Sequence, residues 1–240
     1  MAIKQKNNGA GHHFIYDDEC ISNVNPEMFD ATHWQRSGNI TGQAAGRGTT
    51  LFIRHHDNHW VLRHYRRGGL IGKLINDAYL YSGVDHTRSF REFSLLHGMR
   101  EDELAVPAPV AAYVKRRGLF YQADIITRII PQSRDVHAML CQGPLTDNDW
   151  QRIGMAIADL QHHQVYHHDL NIRNIMMDTQ GKVWIIDFDR CYRRAGEAWK
   201  QTPLNRLQRS LNKEKDREPH FHWQPSDWQT LLDGYHSKAP

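Results

Sequence analysis

Tyr166-His-His-Asp169-Leu-Asn-Ile-Arg-Asn174, followed by Ile186-Asp187-Phe-Asp189, is the stretch on which the reading of this chain turns. A carboxylate and an amide stand five apart in a polar loop, and a second carboxylate follows a short apolar run. Metal-assisted phosphoryl transfer needs this set of groups. One carboxylate accepts or orients the proton of the attacking hydroxyl, while an amide oxygen and another carboxylate hold Mg²⁺ against nucleotide phosphates. Hard oxygen donors suit Mg²⁺, whereas zinc would call for Cys or His. Taken singly, an Asp or Asn in a loop is a turn residue and Ile-Ile-Asp-Phe a strand end.

The surroundings of the loop give it a place in a fold. Upstream, Thr146-Asp-Asn-Asp149 resembles a capping box, and Trp150, Ile153, Ile157 and Leu160 follow at helical spacing, so a helix is expected to end near His163. Downstream, Ile175 to Met177 and Val183 to Ile186 read as a small hairpin around Thr179-Gln-Gly181. Beyond Arg190 the chain is polar and helical, with Leu204, Leu207 and Leu211 on one side. The first half has a different texture. From His12 to about Thr127 apolar and polar residues alternate between turns, which predicts a mostly antiparallel sheet. Its hairpins are expected around Asp57-Asn58 and Arg117-Gly118, and Arg88 to Arg100 is its one clear helical interruption. The expected class is α+β, with a β-rich lobe over residues 1–130 and a mainly helical lobe over 131–240.

Composition excludes several alternatives. The 240 residues carry 40% hydrophobic and 10% aromatic side chains, enough for a core, so disorder is excluded. Three cysteines without a C-x-x-C pair do not make a disulfide framework. Met1 to Gly11 has no apolar core of a signal peptide, and the best apolar run, Ala105 to Val114, is short and carries two prolines. The 17 histidines fall in pairs such as His55-His56 and His162-His163 without zinc-site spacing. Gly68-Gly-Leu-Ile-Gly72-Lys73 misses a Walker A loop, because the first glycine is one residue too close and Leu74 replaces Ser/Thr.

With helix, loop and hairpin in this order, the chain resembles the protein-kinase-like superfamily, whose signature is H-R-D-x-x-x-x-N followed by D-F-G. His167-His168-Asp169 stands at His-Arg-Asp, Asn174 at the required offset, and Asp187-Phe188 at the start of D-F-G, with Asp189 replacing the glycine. The resemblance implies Asp169 as catalytic base and Asn174 and Asp187 as metal ligands, with ATP and Mg²⁺ as cofactors. It also implies a nucleotide roof in the first half. The loop from Gly42 through Gly46, Arg47 and Gly48 to Thr50 could approach phosphates, although Leu51 stands at the third glycine of the usual motif and a plain tight turn is the competing reading. Trp60-Val-Leu-Arg63 matches the V-A-I-K strand with arginine for lysine, and Glu92 is the expected ion-pair partner. Arg63 as a surface strand residue and Glu92 as a solvated carboxylate stand against this.

Departures from the signature narrow the family. Only 53 residues follow Asp187, no A-P-E segment appears, and Asn171 replaces the usual lysine of the catalytic loop. A platform for a protein substrate is missing. Gly46-Arg-Gly-Thr-Thr50, Val61 to Gly69, Tyr166 to Asn171, Ile186 to Arg190 and Leu207 to Lys213 together look like the 3-deoxy-D-manno-octulosonic acid (Kdo) kinase family of lipopolysaccharide-core sugar kinases. That resemblance implies ATP-dependent phosphorylation of the 4-hydroxyl of a Kdo residue on a lipid A precursor, with the enzyme held peripherally at the cytoplasmic face of a bacterial inner membrane; a heptose or aminoglycoside-type kinase of the same fold, or a pseudokinase-like nucleotide-binding module, is the alternative. No nucleic-acid partner is expected. Charge fits an anionic acceptor: the total is only +3, but Arg54 to Lys73 carries five Lys/Arg against one acid and Arg190 to Arg217 nine against three. A solvated, charge-rich helix is the plainer reading of the second cluster.

Overall fold

A computed structural model describes residues 2–44, 50–66 and 77–238. Gly46, Arg47 and Gly48 of the expected phosphate loop, and all of Gly68 to Lys73, lie outside the described residues. The chain is α+β and separates into two compact units, Met1–His97 with Ala108–Ile129 and Gly98–Pro107 with Ile130–Pro240. Residues 98–107 belong with the second unit because they bond to it: Ile185 N–H donates to the Ala105 carbonyl at 3.1 Å, and Arg193 Nη2 pairs with Asp102 Oδ2 at 2.5 Å.

In chain order the first unit contains β1 (Ile3–Asn7), β2 (His12–Asp17), α1 (Ala31–Arg36), β3 (Ile40–Ala44), β4 (Thr50–His55), β5 (Asn58–His64), β6 (Tyr79–Leu80), most of α2 (Arg88–Glu101), β7 (Pro109–Arg117) and β8 (Phe120–Arg128). The strands form one sheet in the order β1-β2-β7-β8-β5-β4-β3, with β6 added beside β8. Every pairing is antiparallel. Residues 110–114 of β7 are buried without alternation, as expected of a strand covered on both faces. One cover is an aromatic cluster in which Phe29 and Phe14 each stack on Tyr113 at 4.9 Å. Helix α2 is tied to the same strands, with Ser89 Oγ donating to the Tyr113 carbonyl at 3.1 Å.

Two expectations about this unit need correction. Helix α2 is not the only helical interruption, since α1 is a second; at six residues it is too short to show a period, and Trp34 is its one buried side chain. Strand β1 precedes the expected start of the sheet, because as an edge strand with four of its five residues exposed it carries no apolar signal. The hairpin turns also shift by a residue. His55 pairs with Asn58 and Arg117 with Phe120, leaving His56-Asp57 and Gly118-Leu119 as two-residue turns. Gly118 takes the left-handed φ of 60° that such a turn requires.

The second unit contains β9 (Ser133–Asp135), α3 (Val136–Leu140), α4 (Asp147–His162), β10 (Val165–Tyr166), β11 (Ile175–Asp178), β12 (Val183–Ile185), β13 (Tyr192–Arg193), α5 (Gln201–Lys215) and α6 (Pro225–Ser237). The capping box of α4 is closed, with Asp149 N–H donating to Thr146 Oγ1 at 3.2 Å and Thr146 N–H to Asp149 Oδ2 at 3.1 Å. Helices α4 and α6 meet backbone to backbone. A Cβ on Gly154 would lie 2.0 Å from the Leu231 carbonyl oxygen, so only glycine fits there. This packing fixes α4, and with it the start of the loop at Tyr166.

Candidate active site

Strand β10 delivers the chain to His167, which is buried and acts as a strut. Its Nε2–H donates to the carbonyl of Ile186 at 3.1 Å, and its ring meets Phe188 edge-on at 5.0 Å. Burial pushes the imidazole pKa down, which keeps the ring neutral, and the carbonyl acceptor places its proton on Nε2. A second tie runs between the same segments, Ile186 N–H to the Asn174 carbonyl at 3.0 Å. The segment ending at Asp187 is thereby laid beside the loop ending at Asn174. Asp187 itself has φ of 63°, a left-handed conformation uncommon outside glycine but one that Asp adopts more readily than most residues.

Amides pin the loop from within. Asn171 Nδ2 and Asn174 Nδ2 each donate to the Asp169 carbonyl at 3.0 Å. Asn171 Oδ1 also accepts from Arg173 N–H at 2.9 Å and caps the short turn Ile172–Asn174. Because the NH₂ of Asn174 is committed to a carbonyl, its orientation is settled and Oδ1 is left as an oxygen donor with no hydrogen bond among the described residues. Asn174 Oδ1 and the Asp187 carboxylate are hard oxygen ligands, and this donor chemistry fits Mg²⁺.

Asp169 is held from outside the loop. Arg206 of α5 donates to Asp169 Oδ1 through Nε at 2.7 Å and also through Nη2. Asn171 Nδ2 approaches the same oxygen at 3.4 Å. Among the described residues nothing hydrogen-bonds to Oδ2, so one carboxylate oxygen is held and the other is available to a hydroxyl. Two more residues of α5 reach the loop: Ser210 Oγ accepts from Ile172 N–H at 3.0 Å, and Glu214 Oε2 accepts from Arg173 Nη2 at 2.8 Å. Positions 206, 210 and 214 are spaced four apart and form one stripe of the helix, flanking the buried Leu204, Leu207 and Leu211. Helix α5 of the basic tail is therefore a brace for the loop that carries Asp169 and Asn174.

One group with metal-like spacing among the described residues, His137, Glu214 and Glu218, lies behind this brace. It is not a metal site. Arg173 Nη2 already donates to His137 Nε2 at 2.7 Å and to Glu214, so a guanidinium fills the position a cation would take.

In the first unit, Arg63 on β5 and Glu92 on α2 form an ion pair, with Arg63 Nη2 2.5 Å from both carboxylate oxygens. Tyr65 Oη donates to Glu92 Oε2 at 2.5 Å, and the guanidinium lies 4.9 Å from the Tyr65 ring centre. Glu92 is only 4% exposed, so the reading of it as a solvated carboxylate does not hold.

Comparison with known proteins follows the same line. The profile of the Lipopolysaccharide kinase (Kdo/WaaP) family matches residues 31–235. The chain belongs to this family. A 3-deoxy-D-manno-octulosonic acid kinase of Vibrio vulnificus is 46% identical over 236 residues, covering 98% of this chain and 99% of the relative. Proteins of the same name from Vibrio cholerae and Haemophilus influenzae are 44% and 40% identical, covering 86% and 93% of this chain and 88% and 96% of their own lengths.

This lipopolysaccharide kinase family member is thus an enzyme, a kinase, and the geometry brings Asp169, Asn174 and Asp187 onto adjoining backbone segments of one unit. Sequence reasoning did not find the clasp of Arg206 on Asp169, nor the strut made by His167. Its one signal for the clasp was the four-residue spacing of Arg206, Ser210 and Glu214 beside the leucine stripe.

Proposed function

We propose that this kinase transfers the γ-phosphoryl group of ATP to the 4-hydroxyl of a Kdo residue carried on a lipid A precursor, within a two-lobed protein-kinase-like architecture. The observation that carries the reading is the carboxylate of Asp169, clasped at Oδ1 and open at Oδ2. The full-length similarity to 3-deoxy-D-manno-octulosonic acid kinases supports the choice of sugar. Asp169 Oδ2 accepts a hydrogen bond from the attacking hydroxyl and orients its lone pair toward phosphorus. Asn174 and Asp187 would hold Mg²⁺, which supplies charge neutralisation on the phosphates. Arg63, set by Glu92, would contact phosphate oxygens of the nucleotide, as would Gly46, Arg47 and Gly48.

Peripheral residence at an anionic membrane is part of the same proposal. No described helix is long and apolar enough to cross a membrane. On the first unit, three large apolar side chains are exposed side by side: Leu80, Leu119 and Phe120, with Leu80 directly opposite Phe120. Lys115, Arg116 and Arg117 precede Leu119 and Phe120 on the β7–β8 hairpin. Apolar side chains beside clustered cations suit an interface of anionic headgroups and acyl chains.

The test is to incubate the protein with Mg-ATP and a Kdo-bearing lipid A precursor, alongside a heptose-bearing core, and locate the new phosphate by mass spectrometry. Phosphate on the Kdo 4-hydroxyl is the expected result. Phosphate on heptose alone would overturn the choice of acceptor.

A further inference from the structure

We infer that Arg206 is the positioning residue of the phosphoryl-transfer site, supplying from helix α5 the cation that pairs with Asp169. The inference rests on the reading of Asp169 as the group that orients the acceptor hydroxyl. The loop carries Asn171 where the kinase-like signature has lysine, and its own arginine, Arg173, is turned to His137 and Glu214 rather than to Asp169. The guanidinium of Arg206 takes that place, with two donors on Oδ1.

Three features make this a built arrangement. The contact spans 37 residues of sequence and depends on α5 being docked, and Ser210 and Glu214 dock it to Ile172 and Arg173 on the same stripe. Both partners are nearly half exposed, at 46% for Arg206 and 44% for Asp169, so the pair is open to solvent and to substrate. A pair this exposed adds little to stability, which leaves orientation as its contribution. Arg206 Nη1 makes no hydrogen bond among the described residues, which leaves its donors available to an anionic group arriving at Asp169. Fixing Oδ1 removes rotation of the carboxylate, so Oδ2 meets the hydroxyl without reorganisation, and the adjacent positive charge offsets negative charge gathering on the transferring group.

The experiment compares wild type with Arg206→Ala, Arg206→Lys and the double variant Arg206→Ala/Asn171→Lys. Phosphorylation of the Kdo-bearing lipid A precursor and acceptor-free hydrolysis of Mg-ATP are both measured, with kcat and KM separated. Arg206→Ala is expected to lower kcat about 100-fold, while KM for Mg-ATP stays within about threefold and the melting temperature is unchanged. Arg206→Lys, added guanidinium ion, and the lysine returned to position 171 are each expected to restore about a tenth or more of the lost rate. A kcat for Arg206→Ala within about threefold of wild type would overturn the inference. So would a loss that neither guanidinium nor Asn171→Lys reverses, since that pattern belongs to a purely structural contact. If wild type hydrolyses Mg-ATP but leaves the Kdo acceptor untouched, the proposed acceptor fails, and Arg206 is judged on hydrolysis, where water replaces the hydroxyl at Asp169.

Discussion

Two arginine–carboxylate pairs in this kinase are built from the same groups and differ in where they sit. Arg63–Glu92 is closed: the carboxylate is 4% exposed, both its oxygens are bound by the guanidinium, and Tyr65 adds a third donor. Arg206–Asp169 is open: both partners are nearly half exposed, and the donors converge on one oxygen. A carboxylate with both oxygens engaged in a buried site serves to hold its arginine in place. A carboxylate with one oxygen engaged and one free is poised to act on something else. The difference fits a structural role for the Arg63–Glu92 pair and the proposed role of Asp169 toward an acceptor hydroxyl.

The largest expected effect sits on the open pair. Asp169→Ala should lower turnover by about 10²-fold to 10⁴-fold, the range for loss of a positioned base. Its melting temperature should remain close to wild type, because an exposed pair is worth at most about 1 kcal/mol. Steady-state phosphorylation beside a thermal melt checks both halves, and a folded variant with wild-type turnover would remove Asp169 from its role. The closed pair should respond the other way. Glu92→Ala removes the buried carboxylate that binds both the Arg63 guanidinium and the Tyr65 hydroxyl, and is expected to cost about 3 kcal/mol of stability. Urea unfolding measures it, and a cost below about 1 kcal/mol would mean that the pair is no tighter than a surface one.

A smaller effect sharpens the contrast through coupling. A double-mutant cycle on Arg206 and Asp169 should give a stability coupling below about 1 kcal/mol, against more than about 2 kcal/mol for Arg63 and Glu92. Equal couplings would erase the distinction between open and closed.

The smallest expected effect is in pH dependence and uses one histidine from each unit. His64 donates to Asp124 at 2.7 Å, and that hydrogen bond raises its pKa, although burial works against it. Burial pushes Asp124 up as well, and its bond to His64 offsets this only in part. The stabilisation from His64 is therefore present in full below pH of about 6.5 and fades as pH rises through the higher folded value. His167 has the opposite sign. Its buried neutral ring has a lowered pKa, so stability is kept above pH of about 6.5 and falls as pH drops below it, when the unfolded chain takes up a proton that the folded chain refuses. Melting temperatures between pH 5.5 and 8.5 should therefore show His64→Gln flattening the alkaline side and His167→Gln the acid side. The reverse assignment would show that the two rings are not perturbed as described.

Much of the second unit was legible in the sequence because its signals are local. The capping box and the apolar period of α4, the five-residue offset from Asp169 to Asn174, and the β11–β12 hairpin are all set by neighbours within a few residues. The sheet of the first unit was legible by alternation, and what escaped was what alternation does not encode: a polar edge strand and a six-residue helix.

By itself the sequence determined the class of fold, the kinase-like loop and the identities of the carboxylates and amides that could serve it. These follow from residue type and short-range spacing, through hydrogen bonds that close within a turn or a hairpin. Only the tertiary structure decided which arginine among the nine Lys/Arg of Arg190 to Arg217 meets Asp169, and that Glu92 is buried on Arg63. The leucines of α5 fix which face of the helix is apolar. Which loop that face lands on depends on contacts 37 to 41 residues away, and no local pattern carries that information.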